Sequence, residues 1–361
     1  MITKRKGQNL TGMNTFRMNV SCDLYIEYDS VADLIDIDFE ILPKPVLHIG
    51  GGSNLLFSGN FRGTVLHSAI KFIYELPEDD PLHTGPDEVL VSVGAGVKFD
   101  DFCAWAAENG LWGAENLSHI PGEAGAAAVQ NIGAYGAEVS DLIRQVYCYD
   151  TEDEEFVHFD REDCEYGYRH SAFKNPEIKG RYIVTNVVMA LSRNAGPKLD
   201  YGHIRAAVEQ AVAERSAGPG REVPVTPALV REVITAVRQS KLPEVSETGS
   251  AGSFFKNPVV SEEVFLNVCR TVSESGMQGE YPVPHYVMEN GIKIPAAWLI
   301  EQCGWKGARC GNAAVYSRQP LVIINATGNA APDEIISLKN RIQASVKEKF
   351  GIELTPEVEI I

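Results

Sequence analysis

The chain has 361 residues, a net charge of −17, 44% hydrophobic and 22% charged residues, a profile that excludes a disordered protein and leaves room for two or three domains. Lys and Arg number 32 against 49 Asp and Glu, which argues against a phosphate-tracking surface and a nucleic-acid partner. No apolar run is long enough to span a bilayer, and the seven cysteines are scattered without CxxC or metal-ligand spacing; we expect a cytoplasmic protein with reduced thiols, no membrane partner and no metal.

In chain order, VLHIG (46–50) and VLVSVGAG (89–96) read as strands, and FDDFCAWAAENG (99–110) as a helix ending at glycine. YIVTNVVMAL (182–191) is a strand, TPALVREVITAVRQSK (226–241) a helix, AAWLIEQCG (296–304) a helix, LVIINATG (321–328) a strand and APDEIISLKNRIQASVKEKFG (331–351) a helix. The terminal LTPEVEII (354–361) reads as a short strand with Glu357 and Glu359 on one face. This mixture predicts an α+β fold rather than alternating βαβ units. Turn formers around one short helix at 192–224 mark a boundary or a long connection.

Fourteen of the seventeen net negative charges fall in two stretches, ELPEDDPLHTGPDE (75–88) and DTEDEEFVHFDREDCE (150–165). Both read as solvated hairpin loops, and the second lacks the alternate spacing and glycine of a calcium loop. The acidity is therefore local, and an anionic ligand can be accommodated elsewhere. Both stretches are expected to lie away from the ligand cleft.

Three segments concentrate glycine. His48-Ile-Gly-Gly-Gly-Ser-Asn54 follows a strand, and its glycines free backbone N–H groups to converge on a phosphate. Val93-Gly-Ala-Gly-Val97 begins like a dinucleotide fingerprint, but Phe99 stands where the third glycine belongs, so a tight strand-to-helix turn is the better reading. Ile120-Pro-Gly-Glu-Ala-Gly-Ala-Ala-Ala-Val-Gln-Asn-Ile-Gly-Ala-Tyr-Gly136 holds four Gly and five Ala in 17 residues, which lets a flat ring or a pyrophosphate lie against backbone; close helix–strand packing is the alternative.

Two polar segments follow. Tyr166-Gly-Tyr-Arg-His-Ser-Ala-Phe-Lys174 sets Arg169, a bidentate fork for carboxylate or phosphate, among aromatics. Gly249-Ser-Ala-Gly-Ser-Phe-Phe-Lys-Asn-Pro258 exposes Ser253 beside Lys256 and Asn257; no strand is expected before Ser253, so a nucleophile elbow is not signalled.

Taken together, Asn14-Thr-Phe16, GGGSNLLF, VGAGV, ENLSHIPGEAGAAAVQNIGAYG, YGYRHSAFK, SKLPE, GSAGSFFKNP, AAWLIEQCGWKG and LTPEVE closely resemble, in order and over essentially the whole chain, the UDP-N-acetylenolpyruvoylglucosamine reductase (MurB) family of peptidoglycan precursor synthesis. The resemblance implies an FAD-binding fold like that of vanillyl-alcohol oxidase, with two α+β subdomains and a C-terminal α+β substrate domain. The implied edges are 1–66 with the terminal strand 352–361, then 67–242, then 243–351. It also implies non-covalent FAD, NADPH as hydride donor, a small UDP-sugar substrate, and a chain acting as a monomer.

Carried over residue by residue, the resemblance assigns Gly50, Gly51, Gly52, Ser53 and Asn54 to the FAD pyrophosphate, and Gly122, Gly125, Asn131, Ile132 and Gly133 to the rest of the flavin site. Arg169, Ser253 and Glu357 fall on the catalytic positions. Tyr135, Tyr201, Lys241, Lys256 and Asn257 fall on substrate-holding positions, and Tyr201 matches a tyrosine that closes over substrate in the enteric-type branch. The family's reaction passes hydride from NADPH through FAD to C3 of the enolpyruvyl group, and Ser253 would protonate C2. The competing readings are a flavin oxidase of the same fold and a non-catalytic UDP-sugar or flavin binder.

Overall fold

The computed structural model describes residues 1–216, 223–274 and 283–361. Of the 205–225 stretch, which matches no family motif, residues 217–222 lie outside the described residues. The chain forms two compact units. The first comprises Met1–Gln8, Cys22–Gly51 and Phe61–Arg238; the second comprises Asn9–Ser21, Gly52–Asn60 and Gln239–Ile361.

The first unit contains two sheets. One runs Ile2–Lys6, Cys22–Tyr28, Phe61–Ser68, Val46–Ile49 in spatial order, with its first pair antiparallel and the others parallel. The other is antiparallel throughout: Glu155–Asp160, Ile143–Asp150, Tyr182–Ser192, Glu88–Gly94, Ile73–Glu75. The central strand Tyr182–Ser192 is mostly apolar because both of its faces pack. Phe99, Phe102, Cys103 and Ala106 from the helix Phe99–Glu108 join Val91, Val93, Val187 and Met189 in the main core. A smaller cluster joins Ile204 and Val208 of one helix to Val230, Val233 and Ile234 of another.

The second unit pairs Gly249–Ser253, Val322–Asn325, Ala313–Val315 and Arg309–Cys310 in an antiparallel sheet. The helix Pro332–Phe350 buries Ile335, Leu338, Ile342, Val346 and Phe350, an apolar stripe at helical spacing, and ends at Gly351 in the left-handed region (φ 69°). Three expectations change. Ser253 does lie on a strand, because Gly249–Ser253 pairs with Val322–Asn325. At the C-terminus only Glu359–Ile360 form a strand, parallel to Leu55–Leu56, while Pro356 makes an isolated antiparallel bridge with Phe255. The first acidic stretch does join two paired strands, whereas the middle of the second is itself the strand Glu155–Asp160 at a sheet edge, where charge is tolerated.

Candidate active site

In the first unit the glycine motifs meet. A Cβ on Gly50 would fall 2.9 Å from Cβ of Ala126, one on Gly51 would fall 3.5 Å from Cα of Gly122, and one on Gly125 would fall 2.8 Å from Cβ of Ala95. The approaches at Gly50 and Gly125 are too close for a side chain, whereas the one at Gly51 is ordinary contact; together they leave a small-residue surface where backbone can face a ligand. The 93–97 segment is the turn its sequence suggested: Ala124 and Gly125 donate backbone N–H bonds to the carbonyls of Val97 and Ala95. Gly122 itself takes φ 124°.

The short helix Ala124–Gln130 stops at Asn131, which is buried with φ 45°. Its amide donates to Glu138 Oε2 (2.9 Å) and the Gly167 carbonyl (2.8 Å) and accepts from the Ser140 N–H (3.2 Å). These bonds hold an otherwise unfavourable conformation. Asn131 therefore shapes the turn; its side chain is committed to protein groups. Ile132 leads into a two-stranded hairpin, Gly133–Ala134 against Ala137–Glu138.

Arg169 meets this hairpin. It has φ 55°, its guanidinium donates to the carbonyls of Gly133 (2.8 Å) and Asn131 (3.3 Å), and it lies 5.6 Å from the Tyr168 ring centroid. A Cβ on Gly133 would stand 3.0 Å from Arg169 Nη1, so glycine there admits the guanidinium. Lys174 donates to Gln130 (3.0 Å) and to the Arg169 carbonyl (3.2 Å), steadying the segment.

Tyr135, also left-handed at φ 49°, packs edge-on to Tyr201, which is 42% exposed. Burial raises the Tyr135 phenol pKa, partly offset by Arg238, to which it is hydrogen-bonded. Arg238 escaped the sequence analysis. Its Nε donates to the His119 carbonyl at 3.2 Å and burial lowers its pKa, so a guanidinium is held at low solvent access next to Tyr135. Its place near the end of a long amphipathic helix, three residues before Lys241, was the only signal in the sequence.

In the second unit, Gly52 adopts φ 60° and a Cβ there would overlap the Met13 carbonyl oxygen at 2.0 Å. Thr15 N–H donates to the Gly52 carbonyl, and Ser250 N–H donates to the Thr15 carbonyl. The buried Asn14 holds this turn by bonds to Leu10 and Met18. The early Asn14-Thr-Phe16 motif is thus a buttress for two others.

Ser253 ends its strand at an irregularity in pairing between Ser250 and Ser253, with Gly252 at φ 65°. Such a bulge re-aims the following side chain. Beyond it Lys256 N–H donates to the Thr355 carbonyl, and Glu357 N–H donates to the Phe254 carbonyl. Ser253 and Glu357 are thereby carried on paired segments. Asn54 joins them: its Nδ2 donates to the Glu357 carbonyl at 3.1 Å and its carbonyl accepts from Glu359. Asn257 accepts the Ala296 N–H at 2.9 Å, anchoring the helix Ala296–Gln302 to the loop after Ser253. Burial lowers the Lys241 ammonium pKa. Ser53 and Lys256 are half-buried.

Among the described residues, no group of three His, Cys, Asp or Glu side chains forms a metal site, and no helix is long and apolar enough to cross a membrane.

Two family models match the chain: an FAD binding domain over residues 24–160, and a UDP-N-acetylenolpyruvoylglucosamine reductase C-terminal domain over 244–361. A UDP-N-acetylenolpyruvoylglucosamine reductase of Bacteroides fragilis is 45% identical over 98% of both chains. Its counterpart in Porphyromonas gingivalis is 41% identical over 99% of both, and that of Neisseria meningitidis serogroup B is 40% identical, covering 97% of this chain and 95% of that one. The crystal structure of the Thermus caldophilus MurB superposes with a TM-score of 0.63 at 21% identity, covering 100% of this chain and 98% of that one, so the fold is shared.

Proposed function

The chain belongs to the UDP-N-acetylenolpyruvoylglucosamine reductase (MurB) family, an FAD-containing oxidoreductase of peptidoglycan precursor synthesis, and from that premise we propose that it reduces UDP-N-acetylglucosamine enolpyruvate with NADPH through non-covalent FAD. The observation that carries the catalytic reading is the pairing of the segments bearing Ser253 and Glu357, with a left-handed glycine immediately before the serine. The glycine surfaces at 50–51 and 122–125 fit a cofactor approached by backbone.

FAD, when bound, supplies the hydride that the substrate receives at C3. Negative charge then spreads over C2 and the substrate carboxylate, and the protein must answer it with donors and cations. We assign Arg169 to that carboxylate; two backbone carbonyls hold its guanidinium in place for the task. Ser253 delivers the proton to C2, and Lys256 supports the alkoxide left behind. Glu357 polarises the same carboxylate, either protonated or through a shared proton, because an ionised carboxylate would repel the enolate.

Gly50 to Asn54 hold the pyrophosphate of FAD in this reading, with Gly122, Gly125, Asn131, Ile132 and Gly133 along the flavin. Asn131 acts through its backbone, since its side chain is spent internally. Tyr135, Lys241, Lys256 and Asn257 hold the UDP-sugar. The exposed Tyr201 closes over it, as in the enteric-type branch. The functional division is 1–66 with 352–361, then 67–242, then 243–351, in a cytoplasmic monomer.

The test is a split of half-reactions. In Ser253→Ala, NADPH should still bleach the flavin while the enolpyruvyl substrate fails to reoxidise it. Loss of both steps would remove Ser253 from the proton-donor role. Arg169→Lys should show the same split less completely, because one ammonium cannot reproduce a bidentate fork.

A further inference from the structure

One buried acid has no part in the reaction described above. Glu123, 8% exposed, precedes the helix Ala124–Gln130. Its Oε1 accepts or shares a proton with His67 Nε2 at 3.0 Å, and His67 Nδ1 lies 3.1 Å from Glu27 Oε2. Tyr25 completes the group by donating to Glu27 at 2.8 Å. His67 and Glu27 face each other across the parallel pair of strands Cys22–Tyr28 and Phe61–Ser68. Burial by itself would lower the His67 pKa, but its bonds to Glu123 and Glu27 outweigh that and raise it, so both acids favour the protonated ring that lies between them.

The second oxygen of Glu123 is different. Oε2 is buried and has no hydrogen-bond partner among the described residues. It lies 3.3 Å from the place a Cβ on Gly50 would take, at the bend assigned to FAD. A carboxyl oxygen that is buried and unsatisfied carries an uncompensated desolvation cost. The cost is recovered if a ligand brings a donor.

We propose that Glu123 recognises the cofactor, its Oε2 accepting a hydroxyl from the sugar part of FAD bound against the Gly50–Gly51 bend. This rests on the reading of the protein as a flavoprotein. The partner must be a neutral donor. A phosphate offers only acceptors and so brings no donor to Oε2. The ribityl chain and the adenosine ribose both carry hydroxyls of the required kind.

The experiment titrates flavin-free protein with FAD and with FMN, following flavin fluorescence, for wild type, Glu123→Ala and Glu123→Gln. Circular dichroism of each flavin-free protein checks folding. Loss of a hydrogen bond to a charged acceptor should weaken FAD binding roughly ten- to hundredfold in Glu123→Ala. An equal loss with FMN places the contact on the half that FMN shares, which holds the ribityl chain; a loss with FAD alone places it on the adenosine half, which holds the ribose. If Glu123→Ala does not fold, Glu123→Gln decides: a loss of about threefold or more in a folded variant supports the contact. Unchanged FAD affinity in the folded variants overturns it. A wild type that takes up no flavin overturns the flavoprotein reading itself, and this assignment with it.

Discussion

Glu357 donates its backbone N–H to the carbonyl of Phe254 at 2.8 Å, which places a residue from the last five of the chain beside the one that follows Ser253. Two groups with no sequence proximity are thus positioned by main chain rather than by flexible side chains. Asn54 reinforces the arrangement by donating to the carbonyl of the same Glu357.

Gly252 should be replaceable without a clash but not without strain. Nothing lies within 4 Å of a Cβ there, yet its φ is 65°. Alanine in that conformation costs about 1–2 kcal/mol. Gly252→Ala should lower Tm by a few degrees and slow substrate-dependent flavin reoxidation more than NADPH-dependent reduction, because Ser253 is re-aimed. Stopped-flow absorbance of the two half-reactions checks this.

Gly52→Ala is far more severe. The added carbon would sit 2.0 Å from the Met13 carbonyl oxygen at φ 60°, so the Met13–Thr15 turn must move. We expect a loss of roughly 3 kcal/mol or more, read as a shift of the urea midpoint, together with weakened flavin retention.

Asn131→Ala removes three hydrogen bonds from a fully buried, left-handed position. The loss should be roughly 2–4 kcal/mol, since the Glu138 carboxylate, the Gly167 carbonyl and the Ser140 N–H each lose this bond. Asn131→Gly relieves the backbone strain but not the lost bonds, so its stability by chemical denaturation should fall between the two.

The acid limb of stability should report His48. Burial, assisted by the charge of His67, brings its pKa down from 6.5 to about 4, and its Nε2 sits 2.7 Å from the Tyr28 hydroxyl. Below pH 6.5 the unfolded chain takes up a proton that the folded protein refuses until about pH 4. Stability is therefore whole above 6.5 and falls as pH drops through that window, by at most about 3 kcal/mol. In His48→Gln the slope of Tm against pH between those values should flatten.

Much of the fold was legible in the sequence. The helix at 331–351 and the strand at 182–191 carry strong periodicity or a long β-branched run, and both form within a residue or so of the expected bounds. The Ser253 strand was missed because Gly249-Ser-Ala-Gly-Ser253 has no β-branched residue; it is a strand only because Val322–Asn325 supplies the ladder. Arg238 was missed because an arginine in an amphipathic helix looks like a solvated one until Tyr135 and His119 are brought against it.

By itself the sequence determined the α+β class, the glycine surfaces and the family, since these depend on local periodicity, on residues without side chains and on motifs in order. What only the tertiary structure decided was where long-range pairing puts chemistry: the meeting of the Ser253 and Glu357 segments, the confinement of Arg169 by the 131–133 carbonyls, and the pairing of His67 with the buried Glu123. These contacts join residues from dozens to about a hundred positions apart, and hydrogen bonding at such separations leaves no period in a sequence.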